Sequence, residues 1–98
     1  MTNELPWRIE QVDICLDRWH HIDNPDPDLQ VLVADWLMTR MADPYEGATP
    51  DADQPDLWFA AVPDSGDGYG NVVTCSYRVN KVNHTVTCDI IVKLAWPV

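Results

Sequence analysis

An α+β fold of order β-α(α)-β-β-β is what the sequence predicts, an antiparallel sheet packed by one long helix and leaving room for a short one. Three observations carry it. Val73, Cys75, Tyr77 and Val79 alternate with Val72, Thr74, Ser76 and Arg78. After Asn80-Lys81-Val82-Asn83, the residues Val86, Cys88, Ile90, Val92 and Leu94 alternate with Thr85, Thr87, Asp89, Ile91 and Lys93. Side chains on a strand change face at every residue, so Val72–Leu94 reads as a hairpin with an apolar and a more polar face. Upstream, Leu29, Leu32, Val33, Trp36, Leu37 and Arg40/Met41 recur at helical spacing, the signature of one amphipathic helix. Nothing between these segments repeats or forms a long linker, so residues 1–98 are read as a single domain.

Taken in order, Trp7–Val12 alternates weakly and is expected to be the first strand. Asp13–His21 carries Ile14, Leu16 and Trp19 and reads as a short helix or a continuation of that strand. Asp26 can cap a helix, Pro27 suits its first position and Asp28 complements the dipole. That helix should run about four turns and stop before Asp43-Pro44, because the residue before proline disfavours helix. Ala42–Asp56 holds Pro44, Gly47, Pro50 and Pro55 and is expected to be loop. Leu57–Val62 reads as a strand closed by Pro63, and Asp64–Gly70 as a turn. In the hairpin, matching the apolar sets places Val73 opposite Ile90, Cys75 opposite Cys88 and Tyr77 opposite Val86.

Charge narrows the function classes. Asp and Glu total 16 against 6 Lys and Arg, a net charge of −10. Such a chain is repelled by phosphate backbones and anionic lipid, so free nucleic acid and membrane are poor partners and a basic protein is a better one. The acidic loop supplies the candidate binding residues Asp43, Glu46, Asp51, Asp53 and Asp56, although a run of this kind is usually a solvated face. Met1–Leu5 is polar and resembles no signal peptide. No apolar run reaches membrane-spanning length. Cys15, Cys75 and Cys88 lack metal-ligand spacing, which fits a reduced, cytoplasmic setting. Cys75 and Cys88 read as core residues before they read as a disulfide. His20-His21 cannot share one face of a helix or strand, so no metal is expected there, and no cofactor is expected anywhere.

The element order, the Asp43-Pro44-Tyr45 exit from the long helix and the Leu57-Trp58 strand resemble the RelE/ParE superfamily of bacterial toxins. So does the spacing of Thr74-Cys75-Ser76-Tyr77-Arg78-Val79, Asn80–His84 and Thr85-Val86. The resemblance implies an N-terminal strand, a helical hairpin and a three-stranded meander. It also implies a cognate antitoxin, and a target in translation or in a topoisomerase such as gyrase. Ribonucleases of that family place an arginine where this chain has Thr74, and further basic or acid/base residues where it has Ala95-Trp96-Pro97-Val98. Cleavage by the RNA's own 2′-hydroxyl needs a base, an acid and positive charge. Arg78, His84 and Lys93, with Lys81, are the available candidates, with Arg78 and Lys93 expected on the Thr74 face. Enzymatic activity is therefore not the leading expectation. A toxin-like protein that binds its target is one expectation. An acidic, non-enzymatic mimic of nucleic acid, inhibiting a basic protein and carried by a phage or mobile element, is the alternative.

Overall fold

The structure, a computed structural model, describes residues 6–95. Met1–Leu5 and Trp96–Val98, which entered the sequence reading, lie outside them. The chain runs β1 (Arg8–Glu10), α1 (Val12–Asp23), α2 (Pro27–Met38), a 3-10 turn (Thr39–Met41), β2 (Thr49–Pro50), β3 (Leu57–Ala61), β4 (Asn71–Asn80) and β5 (Thr85–Ala95). Within the described residues the strands form one sheet in the order β1-β5-β4-β3-β2. The expected α+β class holds. The expected antiparallel sheet does not hold throughout: β1 pairs with β5 in parallel, Ile9 beside Val86, because the two-helix connection returns the chain to the sheet in the same direction.

The helix punctuation follows side-chain chemistry. Residues 13–21 resolve as helix and belong to the twelve-residue α1, so β1 is shorter than Trp7–Val12. Asn24 ends α1 in a left-handed conformation (φ 45°), its N–H donating to the His20 carbonyl. Two residues later the Asp26 carboxylate accepts the Leu29 N–H at 2.9 Å, and Pro27 opens α2 where a missing N–H costs nothing. The loop expected over Ala42–Asp56 contains one short exception, β2, which adds Thr49 and Pro50 to the edge of β3 opposite Phe59 and Trp58. Pro50 is tolerated because it lies on an edge strand.

Both helices pack on one face of the sheet. Cys15 and Trp19 of α1 and Val33 and Leu37 of α2 meet Val62, Val73, Cys75, Cys88 and Ile91. A second cluster, Tyr77, Val79 and Val86 under Trp7, Ile9, Tyr45 and Trp58, continues the core toward the hairpin turn. In that turn His84 takes a positive φ of 55° and stacks on Trp7, ring centroids 3.9 Å apart.

The hairpin exists, but its register differs from the expected one. Tyr77 lies beside Cys88 and Val79 beside Val86, and beyond Ser76/Tyr77 the ladder shifts: Ser76 pairs with Ile90, Cys75 with Ile91 and Val73 with Lys93. Asp89 is the extra residue, a β-bulge that exchanges the two faces of β5. Cys88, ahead of the bulge, stays in the core as expected and Ile91 enters it, whereas Ile90, Val92 and Leu94 leave it. The bulge is held from both sides. The Cys15 thiol donates to the Asp89 carbonyl at 3.4 Å, and the Ser76 hydroxyl donates to the Asp89 carboxylate at 3.3 Å. Cys75 and Cys88 do not face each other, and all three cysteines are free thiols. Burial pushes the Cys75 thiol up to about 12 and raises Cys88 as well, which makes both inert as nucleophiles.

Candidate interaction surface

In a two-layer α+β domain the face away from the helices meets water, and an antiparallel sheet commonly makes that face polar. Here it is apolar over much of its area. Pairing places Phe59 beside Ser76, Thr74 beside Val92 and Ile90 beside Ser76, all turned away from the helices. Thr49, Phe59, Thr74, Ser76, Ile90, Val92, Leu94 and Ala95 line a shallow trough of about 550 Å³. Ile90 and Leu94 each remain 48% exposed. Covering such half-exposed side chains contributes about 1 kcal/mol each, and a contiguous apolar patch of this kind marks an interaction surface.

The floor of the trough contains an unsatisfied group. Thr74 is 7% exposed, and its Oγ1 has no hydrogen-bond partner among the described residues. A buried hydroxyl left unpaired is destabilising by about 1–3 kcal/mol. Thr74→Val keeps the shape and removes the hydroxyl, so it should leave the fold intact and raise stability by about 1 kcal/mol. Urea denaturation followed by circular dichroism checks this, and a loss of stability would mean that the hydroxyl is already satisfied.

The residues considered for catalysis do not converge. Arg78 sits on the Thr74 face as expected, but its guanidinium is committed to the Asp56 carboxylate at 3.1 Å and to the Gln54 amide oxygen at 2.8 Å. Lys93 does not share that face. The bulge turns it to the helix side, beside Val73, where its ammonium lies 3.5 Å from Asp67. Five ladder rungs, about 17 Å, separate Lys93 from Arg78. His84 and the exposed Lys81 lie in the β4–β5 turn, with His84 stacked on Trp7. Arg78 and Lys93 are therefore too far apart to share one phosphate, whereas Lys81 and His84 sit together in the turn.

The acidic loop is more ordered than a solvated run. Asp43 accepts the Tyr45 N–H, Asp51 accepts the N–H groups of Asp53 and Gln54 at 2.9 Å, and Asp56 holds Arg78. Glu46 and Asp53 are exposed. The turn from Asp51 to Asp56 joins β2 to β3 at the end of the trough where Arg78 follows Ser76 along β4. Around that end, Glu10, Asp51, Asp53, Asp56 and Asp89 outnumber Arg8, Arg78 and Lys81. Among the described residues no group of three or more His, Cys, Asp or Glu is placed to hold a metal ion, and no helix is long and apolar enough to cross a membrane.

Asp67 anchors the opposite end. Its carboxylate accepts the Asn71 side-chain amide at 3.0 Å, the Tyr69 N–H at 2.7 Å and the Asn71 N–H, and it faces Lys93. These donors, the Asn71 amide foremost, hold it at about 2 against an ordinary 3.8. A carboxyl depressed in the folded state stabilises the fold above its unfolded value, and that stability is lost as pH falls from about 4 to about 2. Asp67→Asn should therefore flatten the acid-unfolding profile in that window. Tryptophan fluorescence during acid titration reads it, and an unchanged profile would show that the turn is not a unit of acid stability.

Sequence reasoning identified the acidic loop and the basic candidates but missed the trough. One signal was present: Ile91 interrupts the alternation of β5, placing Ile90-Ile91-Val92 in a run that a strictly alternating strand with one wet face would not contain. Comparison of the chain with protein-family models, with curated proteins and with solved structures finds no match.

Proposed function

We propose that this chain is a toxin-like component of a bacterial toxin–antitoxin pair, acting in the cytoplasm by binding a protein in translation or a gyrase-type target, without ribonuclease chemistry. The observation that carries the reading is the helix-free, apolar sheet face with Thr74 in its floor. Where the resemblance to the RelE/ParE superfamily asks for an arginine, this chain has an apolar contact surface. The element order supports the same reading, and the scatter of Arg78, His84 and Lys93 supports the absence of catalysis. Induced alone in bacteria, the protein should arrest growth. Arrest should survive Arg78→Ala, His84→Ala and Lys93→Ala, and disappear with Leu94→Asp on the open face. No arrest from the wild-type chain would sink this reading.

A second reading, the acidic inhibitor of a basic nucleic-acid-binding protein, is favoured by one observation. Asp43, Asp51 and Asp56 are pinned by specific hydrogen bonds and an ion pair, so their charges hold fixed positions as a phosphate mimic would require. Binding to a basic partner should weaken steeply with salt and with Glu46→Gln combined with Asp53→Asn, substitutions at exposed positions. A salt-insensitive complex would remove it.

A further inference from the structure

What covers the trough can be argued from its size, its surroundings and its charge, taking as given that the open face is where the protein works. We infer that the occupant is an amphipathic helix of another protein, apolar along one stripe and basic along its flanks.

Size comes first. A stable interface between folded proteins takes roughly 20–30 residues a side, whereas among the described residues the trough itself is a strip lined by eight, Thr49 and Phe59 at one side and Ile90, Val92, Leu94 and Ala95 at the other. That footprint fits one segment better than a second folded copy. The trough is shallow and open to solvent, so it cannot enclose a small apolar molecule, whereas a segment brings its own cover.

The sheet edges decide the segment's conformation. β1 and β2 close the two edges with three and two residues. Where β5 runs on past β1, the Lys93 N–H is already donated to the Asp23 carboxylate at 2.8 Å. In the same stretch the Asp89 carbonyl accepts the Cys15 thiol, so α1 engages this part of the β5 edge through both Cys15 and Asp23. A segment lying on the face instead of the edge must satisfy its own backbone N–H and C=O groups, because Phe59, Ile90, Val92 and Leu94 offer them nothing. An α-helix does so internally.

Charge decides the flanks. Glu10, Asp51, Asp53, Asp56 and Asp89 surround the hairpin-turn end against Arg8, Arg78 and Lys81, within a chain of net charge −10. Arg78 and Asp56 neutralise each other, which leaves Glu10, Asp51, Asp53 and Asp89 against Arg8 and Lys81, so lysines or arginines beside the helix's apolar stripe meet an excess of carboxylates.

The test titrates the full chain with synthetic helical peptides of about 18 residues, long enough to cross the sheet. One has a leucine stripe with lysine flanks, one the same stripe with glutamate flanks, and one lysine flanks with the stripe scrambled. The lysine-flanked stripe should bind, shifting the amides of Thr74, Ser76 and Ile90–Leu94. The glutamate-flanked and scrambled peptides should bind at least about tenfold more weakly, with the first gap closing at high salt. Ile90→Asp and Leu94→Asp, both at half-exposed positions, should cut affinity at least about tenfold while leaving the far-ultraviolet spectrum unchanged. Equal binding of the lysine and glutamate peptides overturns the inference, and so do shifts confined to α1 and α2. A concentration-dependent dimer in sedimentation that Leu94→Asp abolishes also overturns it, in favour of a second copy. Growth arrest that needs Leu94 without any preference for the basic peptide sinks the helix inference and leaves the proposed function standing. Arrest indifferent to Leu94→Asp sinks the function itself.

Discussion

Trp19→Ala is expected to lower stability by about 3–5 kcal/mol, the cost of removing a fully buried indole whose space cannot collapse. Trp19 is 1% exposed and stands where α1 crosses the sheet, in one cluster with Val33 and Leu37 of α2 and Val73, Cys75, Cys88 and Ile91 of the hairpin. A domain of this length has a total stability of about 5–15 kcal/mol, so the variant would be close to unfolded. Trp19→Phe separates packing from polarity. The indole Nε1 has no hydrogen-bond partner among the described residues, so phenylalanine gives up volume and loses an unsatisfied donor with it. Its cost should be well below that of alanine. Urea midpoints by circular dichroism measure both. A cost for alanine near zero would mean that α1 is not anchored through Trp19, and the two-layer packing described above would need revision.

How far the sequence spoke for itself depended on whether the determinants were local. Asp26-Pro27-Asp28 specified the start of α2 because a cap and a dipole act within one turn, and the structure places the Asp26 carboxylate on the Leu29 N–H. Asn24-Pro25 likewise marked the break between the helices. Residues 13–21 were ambiguous because Ile14, Leu16 and Trp19 fit either period poorly. Packing of Cys15 and Trp19 against the sheet settled them as helix. The register failed for a nonlocal reason. Nothing in Thr87-Cys88-Asp89-Ile90 alone asks for a bulge; it is held by Cys15, 74 residues away, and by Ser76 across the ladder. That single insertion moved Lys93 off the face it was expected to share with Arg78, and it moved Ile90, Val92 and Leu94 onto the open side. The loss of the basic cluster and the gain of the trough are one event. The parallel placement of β1 was equally invisible, since strand direction is set by where two helices return the chain and not by three residues of Arg-Ile-Glu.

Arg40→Met is expected to cost about 2–4 kcal/mol and to loosen the segment that carries Asp43 and Glu46. Arg40 fell on the apolar stripe of the long helix in the sequence and is indeed buried, 4% exposed, yet it keeps its charge inside. Its guanidinium lies 4.4 Å from the Trp36 ring centroid, donates to the Glu46 carbonyl and reaches the Thr39 hydroxyl at 3.0 and 3.2 Å. A carbonyl, a hydroxyl and a ring face satisfy it, in a chain whose overall negative field favours a cation. Methionine fills the stem's volume but leaves the Glu46 carbonyl without its donor, a loss of about 1–3 kcal/mol, and removes a cation–π contact of about 0.5–2 kcal/mol. Arg40→Lys should not restore the difference, because a point ammonium cannot span the carbonyl and the hydroxyl while lying flat on Trp36. The segment has a second tether, the Tyr77 hydroxyl donating to the Pro44 carbonyl from the core of the sheet. Arg40→Met and Tyr77→Phe acting on one short segment should therefore be non-additive, the double variant costing more than the two losses combined if either tether alone can hold it. Hydrogen exchange over residues 43–48 reads the local effect directly: faster exchange there, with residues 51–56 unchanged because Asp51 and Arg78 brace them independently. Uniform acceleration of both stretches would show that the acidic loop is one unit and that Arg40 holds all of it.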